Sequence, residues 1–353
     1  MHDLITFYLP PPVSSILSPT FCLLHIFLAR EDKPKAQKSR EHRDMGSKKI
    51  IWQISDGKRG HENQSAGLID ALCRLQELKI VKLGIDQYRA SWLRALFGSF
   101  PPASILPPPD LIIGTGSQTH ATLLAAGRAT GTPTIVMMAP PRGLSRCFNL
   151  CIIPEHDNRT GANVLNTKGA INLIRPSQTK DADAGLFLIG GPSAHHDWDE
   201  VALLDQIDTI LKAEDRTRWT LTTSRRTPNT TTQQLQSINH PRLNVVPVDD
   251  TSPTWLPDQL ATASKVWVTE DSVSMVYEAL SSDAKVGLLQ VPRKSTRSRV
   301  IRGLDHLIEA DYIQPYDATR PDLEQFTKPP VLNEAKRIAQ LVEQQFLSKN
   351  GNA

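Results

Sequence analysis

The sequence predicts an α/β protein in which two Rossmann-like domains face each other across a cleft. Short apolar runs typical of buried parallel strands alternate with segments of helical spacing along most of the chain. These alternations form two successive series of similar size, which predicts two domains of the same architecture. Several predicted strands end in polar side chains, and open α/β sheets bind their ligands at the carboxyl ends of the strands.

Length and composition are those of a globular protein and exclude several other classes. The 353 residues suffice for two domains of ordinary size; 39% are hydrophobic and 22% charged, which excludes a disordered or coiled-coil chain. The net charge of +3 is too small to predict binding to nucleic acid or to an anionic membrane. The four cysteines lack the paired spacing of a zinc site, so we expect ordinary thiols and not metal ligands. We expect no metal centre and no bound cofactor.

Residues 1–46 are predicted to be an extension outside the fold. The first 29 residues are apolar but interrupted by prolines, and a polar, charged stretch follows. The segment lacks the basic start and the small-residue cleavage site of a signal peptide, and Met45 is followed directly by a predicted strand. A cleaved signal or a membrane anchor is the alternative. We therefore expect a cytoplasmic protein, with membrane association as the alternative.

The N-terminal domain is predicted to span residues 47–172 and to begin with a strand and a polar segment. Strands are expected at 49–54, 78–85, from 110, at 133–138 and 149–154, and helices at 66–75, 91–97 and 118–129. Asp56, His61 and Glu62 lie between the first strand and the first helix, and each is a candidate general base. A solvated loop with Ser65 as helix cap explains these residues equally well.

Two further strand ends in this domain carry candidate functional residues. Gly114, Thr115, Gly116 and Ser117 offer N–H groups and hydroxyls at the start of a helix, which suits a phosphate or a polar acceptor. Alternatively, the two glycines permit close packing of the helix on the strand. His156 follows the last predicted strand and is a second candidate base, although a structural role explains it as well.

Residues 173–185 are predicted to link the domains, and residues 186–322 to form a C-terminal domain of the same type. Strands are expected from 186, at 218–224, 243–248, 265–268 and 285–291, and helices at 200–213, from 230, at 256–263 and 274–280. Residues 323–353 carry helical apolar spacing as far as Leu347. We expect this segment to be a closing helix that packs across both domains.

Three strand ends in the C-terminal domain, with the helix that follows the last of them, carry side chains suited to a nucleotide-sugar. The candidates are Gly190, Gly191, Ser193, Ser224, Arg225, Arg226, Thr269, Glu270, Asp271, Ser272 and Glu278. Glycine turns and helix starts offer N–H groups to a diphosphate, and guanidinium groups bind phosphate oxygens in pairs. Carboxylates accept hydrogen bonds from ribose or sugar hydroxyls. For the two arginines, a solvated charge pair is the alternative.

Asp197-Trp-Asp199 matches the DxD pattern by which some transferases hold a divalent metal. Acidic residues in the first turn of a helix are also ordinary partners of the helix dipole. We favour the second interpretation, because a helix is predicted to begin at Glu200.

Two α/β series that meet at a cleft with polar strand ends have the arrangement of the GT-B glycosyltransferases. Six short motifs, found in order between residues 48 and 300, resemble those of the mitochondrial-fission Elm-type family. The motifs are Trp52-Gln-Ile-Ser-Asp-Gly-Lys-Arg-Gly-His-Glu-Asn-Gln-Ser65, Ile113-Gly-Thr-Gly116, Pro154-Glu-His-Asp157, Ile189-Gly-Gly-Pro-Ser193, Thr222-Thr-Ser-Arg-Arg226 and Val268-Thr-Glu-Asp-Ser-Val-Ser-Met275. The extension 1–46 has no counterpart in this resemblance.

The resemblance implies a GT-B-like fold similar to that of nucleotide-sugar glycosyltransferases. It also implies a possible protein partner, because the plant member of the family is associated with recruiting a dynamin-related protein to mitochondria. For this chain the leading expectation is metal-independent sugar transfer from a nucleoside-diphosphate sugar to an unknown acceptor. The rival expectation is a catalytically silent scaffold of the same shape that binds a dynamin-like partner.

Overall fold

The structure is a computed structural model that describes residues 48–295 and 298–348, and only the backbone of Arg299. The prediction for residues 1–46 lies outside the described residues.

 The described residues form two α/β domains, each built on a single parallel sheet.

The N-terminal domain is a parallel sheet of six strands in the order β2-β1-β3-β4-β5-β6 within the described residues. Its strands are β1 (Lys49–Ser55), β2 (Leu78–Gly84), β3 (Leu111–Thr115), β4 (Thr134–Met137), β5 (Leu150–Pro154) and β6 (Val164–Thr167). Its helices are α1 (Arg59–Cys73), α2 (Ile85–Tyr88), α3 (Trp92–Phe97) and α4 (His120–Thr130). Every residue of β3 and β5 is buried, as expected for central strands covered on both faces.

The C-terminal domain repeats this architecture, with the described strands in the order β12-β11-β10-β7-β8-β9. Its strands are β7 (Asp181–Leu188), β8 (Arg218–Thr222), β9 (Leu243–Val246), β10 (Ala263–Thr269), β11 (Lys285–Leu289) and β12 (Gln314–Pro315). The helices are α5 (Glu200–Ala213), α6 (Asn229–Ser237), α7 (Trp255–Thr262), α8 (Val273–Ser281), α9 (Arg299–Glu309) and α10 (Glu334–Val342). The predicted fold class, two Rossmann-like domains facing across a cleft, is confirmed.

Each sheet has a hydrophobic core on both faces because neighbouring side chains of a strand point to opposite sides. In β1, Trp52 packs with α2, α3 and α4, whereas Ile51 packs with α1 and α10. All-parallel strands need this double cover, which is why they read as continuous apolar runs in the sequence.

The last helix does not occupy the whole predicted segment 323–353. α10 begins only at Glu334, after Asn333 has capped it by accepting from Lys336 N (3.0 Å). Pro329 and Pro330 lie just before it and disfavour a helix there. Ile338 and Val342 pack into the core beneath α1, so the chain leaves the C-terminal domain and closes against the N-terminal one.

Other boundaries also differ from the prediction. β7 begins at Asp181, so the second part of the expected linker 173–185 is already strand. α1 begins at Arg59 rather than near residue 66, because Lys58 O accepts from the N–H groups of His61 and Glu62 (both 2.9 Å). Ser65 is therefore a buried residue inside the helix and not its cap. Four observed elements have no counterpart in the predicted ones: α2, β6, α9 and β12.

The two domains touch where the chain passes between them. Asn172 Nδ2 donates to Tyr277 O (3.3 Å) and to Ser281 Oγ (3.1 Å), both on α8. Gly169 has φ +82, and a Cβ there would overlap the ring of Tyr277. Only glycine fits that position, so this contact fixes α8 against the N-terminal domain.

Candidate functional site

The N-terminal side of the cleft carries a buried aspartate paired with a histidine. Asp56 follows β1 directly, and its fully buried carboxylate lies 2.8 Å from Nδ1 of His61 in the first turn of α1. Because a carboxylate accepts hydrogen bonds, it holds the proton on Nδ1 and leaves the lone pair on Nε2. No described residue bonds to Nε2. This Asp56–His61 pair is therefore arranged as a general base.

The glycine turn after β3 makes room for the imidazole. Gly116 has φ +87, and a Cβ there would overlap the ring of His61. A Cβ at Gly114 would lie 3.0 Å from Thr119 Oγ1, so this glycine allows close packing of the following turn. Thr115 is buried, whereas Ser117 is exposed. Both glycines thus do what the packing alternative expects; acceptor binding by these four residues stays a prediction.

Glu62 and His156, the other candidate bases, lie in different surroundings. Glu62 Oε1 accepts from Ser55 Oγ (2.7 Å), which ties the carboxylate back to the end of β1. His156 belongs to a short turn after β5 and lies opposite α9, where a Cβ at Gly303 would be 3.8 Å from its own Cβ. It lines an interdomain cavity of about 440 Å³ together with Lys168, Tyr277 and the α9 residues Arg302 and His306. The Asp56–His61 pair does not line that cavity.

On the C-terminal side, Asp271 holds together the ends of three strands. Its side chain is fully buried, and Oδ2 accepts from Gly191 N (3.0 Å) and from the Arg226 guanidinium (2.7 Å). Arg226 also donates to Gly191 O (2.7 Å). Thr269 Oγ1 accepts from Gly190 N (2.7 Å). The N–H groups of both glycines are therefore used inside the domain, so in this conformation they do not offer themselves to a diphosphate.

Glu270 belongs to a second internal pair. It forms an ion pair with Arg293, which also bonds to Asp305 Oδ1 (2.8 Å) on α9. His196 Nε2 lies 4.0 Å from Glu270 and is buried, and it has no hydrogen-bond partner among the described residues. We call the three ion pairs Glu270–Arg293, Arg293–Asp305 and Asp271–Arg226 the closed network.

Ser193 and Ser224 shape the turns in which they lie. Ser193 Oγ accepts from the N–H groups of His195 (3.2 Å) and His196 (3.1 Å). Ser224 Oγ accepts from Arg226 N (3.2 Å). Arg225, next to it, is exposed and makes no hydrogen bond or ion pair with any residue that the structure describes.

Asp199 confirms the favoured interpretation of the DxD pattern. Its carboxylate caps α5 by accepting from Ala202 N (3.0 Å). Asp197 pairs instead with Lys294 on the surface (3.3 Å). Across residues 48–295 and 298–348, no three side chains of His, Cys, Asp or Glu are grouped so that they could hold a metal ion.

The helix α8 contacts the N-terminal domain through Tyr277 and Ser281. No side chain of the described residues caps this helix at Ser272, so the N–H groups of its first turn are open. Glu278 follows in the helix, where burial raises the pKa of its carboxyl to about 7 and the charge of Arg59, at the start of α1, opposes that rise. Glu278 makes no hydrogen bond to another described residue.

The family described as Mitochondrial fission ELM1 matches residues 59–346 of the chain, which is most of its length. The protein belongs to this family. The resemblance of the six sequence motifs to this family is therefore confirmed. None of the curated proteins compared with the chain is significantly similar to it.

Solved structures with the same architecture show that this member of the Mitochondrial fission ELM1 family has a GT-B fold. One, from Listeria monocytogenes, is described provisionally as a UDP-N-acetylglucosamine 2-epimerase; it is 13% identical, with a TM-score of 0.56, over 86% of this chain and 98% of that one. Another is the UDP-GlcNAc 2-epimerase of Methanocaldococcus jannaschii, 11% identical, with a TM-score of 0.54, over 84% of this chain and 100% of that one. At these identities the likeness concerns the fold alone.

Several residues of the cleft in this Mitochondrial fission ELM1 protein were missed by the sequence analysis. Arg59 lies in the first quoted motif, so the sequence carried a signal for it. Asp305, His196 and Tyr277 reach the cleft or the closed network only through the tertiary fold, and the sequence carried no local signal for them.

No helix among the described residues is long and apolar enough to cross a membrane.

Proposed function

We propose that the protein is a nucleotide-sugar-binding enzyme that transfers a sugar to a hydroxyl group of an unknown acceptor without a metal ion. The observation that carries this proposal is the pairing of unlike groups across the cleft. The Asp56–His61 pair presents a free ring nitrogen from one domain. The buried carboxyl of Glu278 and the open start of α8 belong to the other domain, and Arg59 acts on Glu278 across the gap.

The chemistry follows from these groups. His61 Nε2 takes the proton of the acceptor hydroxyl while its oxygen forms a bond to the anomeric carbon. The bond from that carbon to the diphosphate breaks, and the electron pair leaves with the diphosphate. Asp56 stabilises the imidazolium that results, as a buried carboxylate does for a catalytic histidine. Proton removal by a positioned base contributes roughly 10²–10⁴-fold to a rate.

The leaving diphosphate carries negative charge that must be stabilised. Arg225 is exposed and unengaged among the described residues, and Arg59 stands on the opposite side of the cleft. The open N–H groups of α8 add the positive end of a helix dipole. Glu278, when ionised, accepts a ribose hydroxyl. Hydrogen bonds among Gly191, Arg226 and Asp271 hold the neighbouring strand ends in shape.

Isothermal titration with UDP, GDP, CDP and CMP sugars tests this proposal. UDP-GlcNAc is titrated first, because two solved structures of this fold are described as UDP-GlcNAc 2-epimerases. We expect one nucleotide to bind, and Arg225→Ala to weaken it about tenfold. Arg218→Ala is the matched control, since Arg218 lies at the opposite end of β8 and pairs on the surface with Asp181. If no nucleotide gives a heat of binding up to about millimolar concentration, the proposal that the protein is an enzyme is wrong.

The closed network favours a second candidate, a catalytically silent scaffold. Arg226, which was expected to contact a diphosphate, is already paired with Asp271, and Glu270 is paired with Arg293, which is what a structural role requires. A scaffold that recruits a dynamin-like protein would keep that partner in a pull-down after His61→Gln and Glu62→Gln are combined. It would also bind no nucleotide in the titration. Loss of the partner in the combined variant, with nucleotide binding in the wild type, excludes the scaffold.

A further inference from the structure

The short helix α3 exposes three large apolar side chains on the surface of the N-terminal domain. Trp92 is 52% exposed, Leu93 64% and Phe97 78%. Ile105, in the loop that follows, is 64% exposed. The other large apolar residues exposed in the described chain are scattered: Leu75, Leu173, Val201, Val331 and Leu341. Single exposed apolar residues are ordinary, but a cluster on one helix indicates a contact surface.

The exposure is built into an ordered helix. Ser91 caps α3 by accepting from Arg94 N (3.3 Å), and Gly98 ends it in the left-handed conformation (φ +61). Arg128 on α4 donates to Ala95 O (2.7 Å), and Ala95 is buried in the domain core. Both ends and the inner face are therefore fixed, and the outward face is left apolar.

Basic residues accompany this apolar face. Arg89 and Arg94 are exposed, and the segment from Gln87 to Pro109 contains no aspartate or glutamate. Aromatic and leucine side chains flanked by arginine are the composition of helices that lie in the interface of an anionic bilayer. A protein partner with an acidic surface would satisfy the arginines, but it would not require three apolar side chains on so short a helix.

We propose that α3, through Trp92, Leu93 and Phe97 with Arg89 and Arg94 at its rim, docks the protein onto a lipid surface that carries anionic headgroups. The apolar side chains enter the boundary between headgroups and acyl chains, and the arginines neutralise lipid charge. The site lies in the N-terminal domain, whereas the closed network lies in the C-terminal domain, and it includes none of the residues assigned to sugar transfer. A failure of this proposal therefore leaves the proposed function untouched.

The full chain is tested for sedimentation with phosphatidylcholine vesicles and with vesicles that contain about one third phosphatidylglycerol. We expect binding to the anionic vesicles that weakens as salt is raised. Leu93→Ser with Phe97→Ser should weaken binding about tenfold or more. Arg89→Gln with Arg94→Gln should weaken it about fivefold for each arginine removed. Val201→Ser is the matched control, because Val201 is 71% exposed on α5 of the other domain and should leave binding unchanged.

A second readout identifies the docking residue within the full chain. Trp92 is more exposed than Trp52, Trp219 and Trp267, which are buried. Vesicles with brominated acyl chains should quench a fluorescence component in the wild type that is missing in Trp92→Phe. Equal quenching in both proteins would show that another segment binds the lipid and overturns the proposal. Unaltered vesicle binding by the serine variant would also overturn it. So would a wild type that binds no vesicles but forms a dimer that the serine variant does not form.

Discussion

The two sides of the cleft carry polar clusters at equivalent places, the carboxyl ends of parallel strands, yet the clusters differ in how far their groups are satisfied. On the C-terminal side, Asp271 and Glu270 are buried and paired with arginines of the same domain. On the N-terminal side, the Asp56–His61 pair leaves one ring nitrogen without a partner among the described residues. Position at a strand end is therefore not enough to assign a residue to ligand binding.

The difference separates residues that hold shape from residues that offer chemistry. A buried carboxylate that is already paired with an arginine of its own domain stabilises its loop and gains little from a ligand. A histidine oriented by a carboxylate, with its second nitrogen open, can take a proton. Substitutions in the closed network should therefore change the stability of the protein, and substitutions in the Asp56–His61 pair should change its turnover.

The largest expected effect is on turnover at His61. His61→Ala should lower the release of nucleoside diphosphate from a bound nucleotide-sugar by roughly 10²–10⁴-fold, because the acceptor hydroxyl loses its base. The rate is measured for Glu62→Gln and His156→Ala under the same conditions, and both should stay close to the wild type. If Glu62→Gln lowers the rate as much as His61→Ala does, the base is Glu62 and the Asp56–His61 pair is structural.

Asp271→Ala should give the largest loss of stability, about 2–4 kcal/mol in the free energy of unfolding measured with urea. The change removes the acceptor of Gly191 N and leaves Arg226 without its partner. Arg226 is partly exposed and can be rehydrated, which keeps the loss moderate. Asp271→Asn keeps an oxygen acceptor and should cost less than half as much. Unchanged stability with lost nucleotide affinity would instead make Asp271 a binding residue.

Glu278 should make stability depend on pH. Its folded pKa of about 7 lies above the ordinary value of 4.5 because of burial, so the folded state holds the proton more tightly than the unfolded state. Stability is then highest below the ordinary value and falls as pH rises towards the folded pKa, by about 2–3 kcal/mol. Urea unfolding at about pH 5 and about pH 8 measures this fall. Glu278→Gln should remove it, and equal pH profiles of variant and wild type would refute the assignment.

The smallest effect separates two neighbouring arginines. Arg225→Ala should change the free energy of unfolding by less than about 0.5 kcal/mol, because Arg225 is exposed and unpaired among the described residues. Arg226→Ala should destabilise the protein measurably, since it leaves Asp271 as a buried charge. Thermal unfolding of the two variants beside each other measures the contrast. Equal stabilities of the two variants would mean that the Arg226–Asp271 pair of the closed network contributes nothing to the free energy of unfolding.

Much of the fold could be predicted because both faces of each sheet are covered. The continuous apolar runs of β3, β5 and β10 marked buried strands, and α5 was predicted at its observed bounds, where Asp199 caps a regular apolar spacing. β6 and β12 were missed because they are short edge strands with few apolar residues. The start of α1 was missed because polar residues and Gly60 hide the helix from an apolar pattern.

The candidate site was predictable only as far as its parts are local. Asp56 and His61 are close in sequence, so the loop itself indicated them. The pairs Arg226 with Asp271 and Glu270 with Arg293 join residues far apart in the chain, and they meet because β7 lies between β8 and β10 and β11 lies beside β10. That order of strands is set by tertiary packing and is absent from any single motif.

The most direct test is a crystal structure of the protein with the nucleoside diphosphate that binds most tightly in the titration. We expect the phosphates at the open N–H groups of α8, within reach of Arg225 and Arg59, and the ribose hydroxyls on Glu278. We also expect the closed network to keep its pairs. A nucleotide seated in the cavity of His156, Arg302 and His306, or one that displaces Arg226 from Asp271, would contradict it.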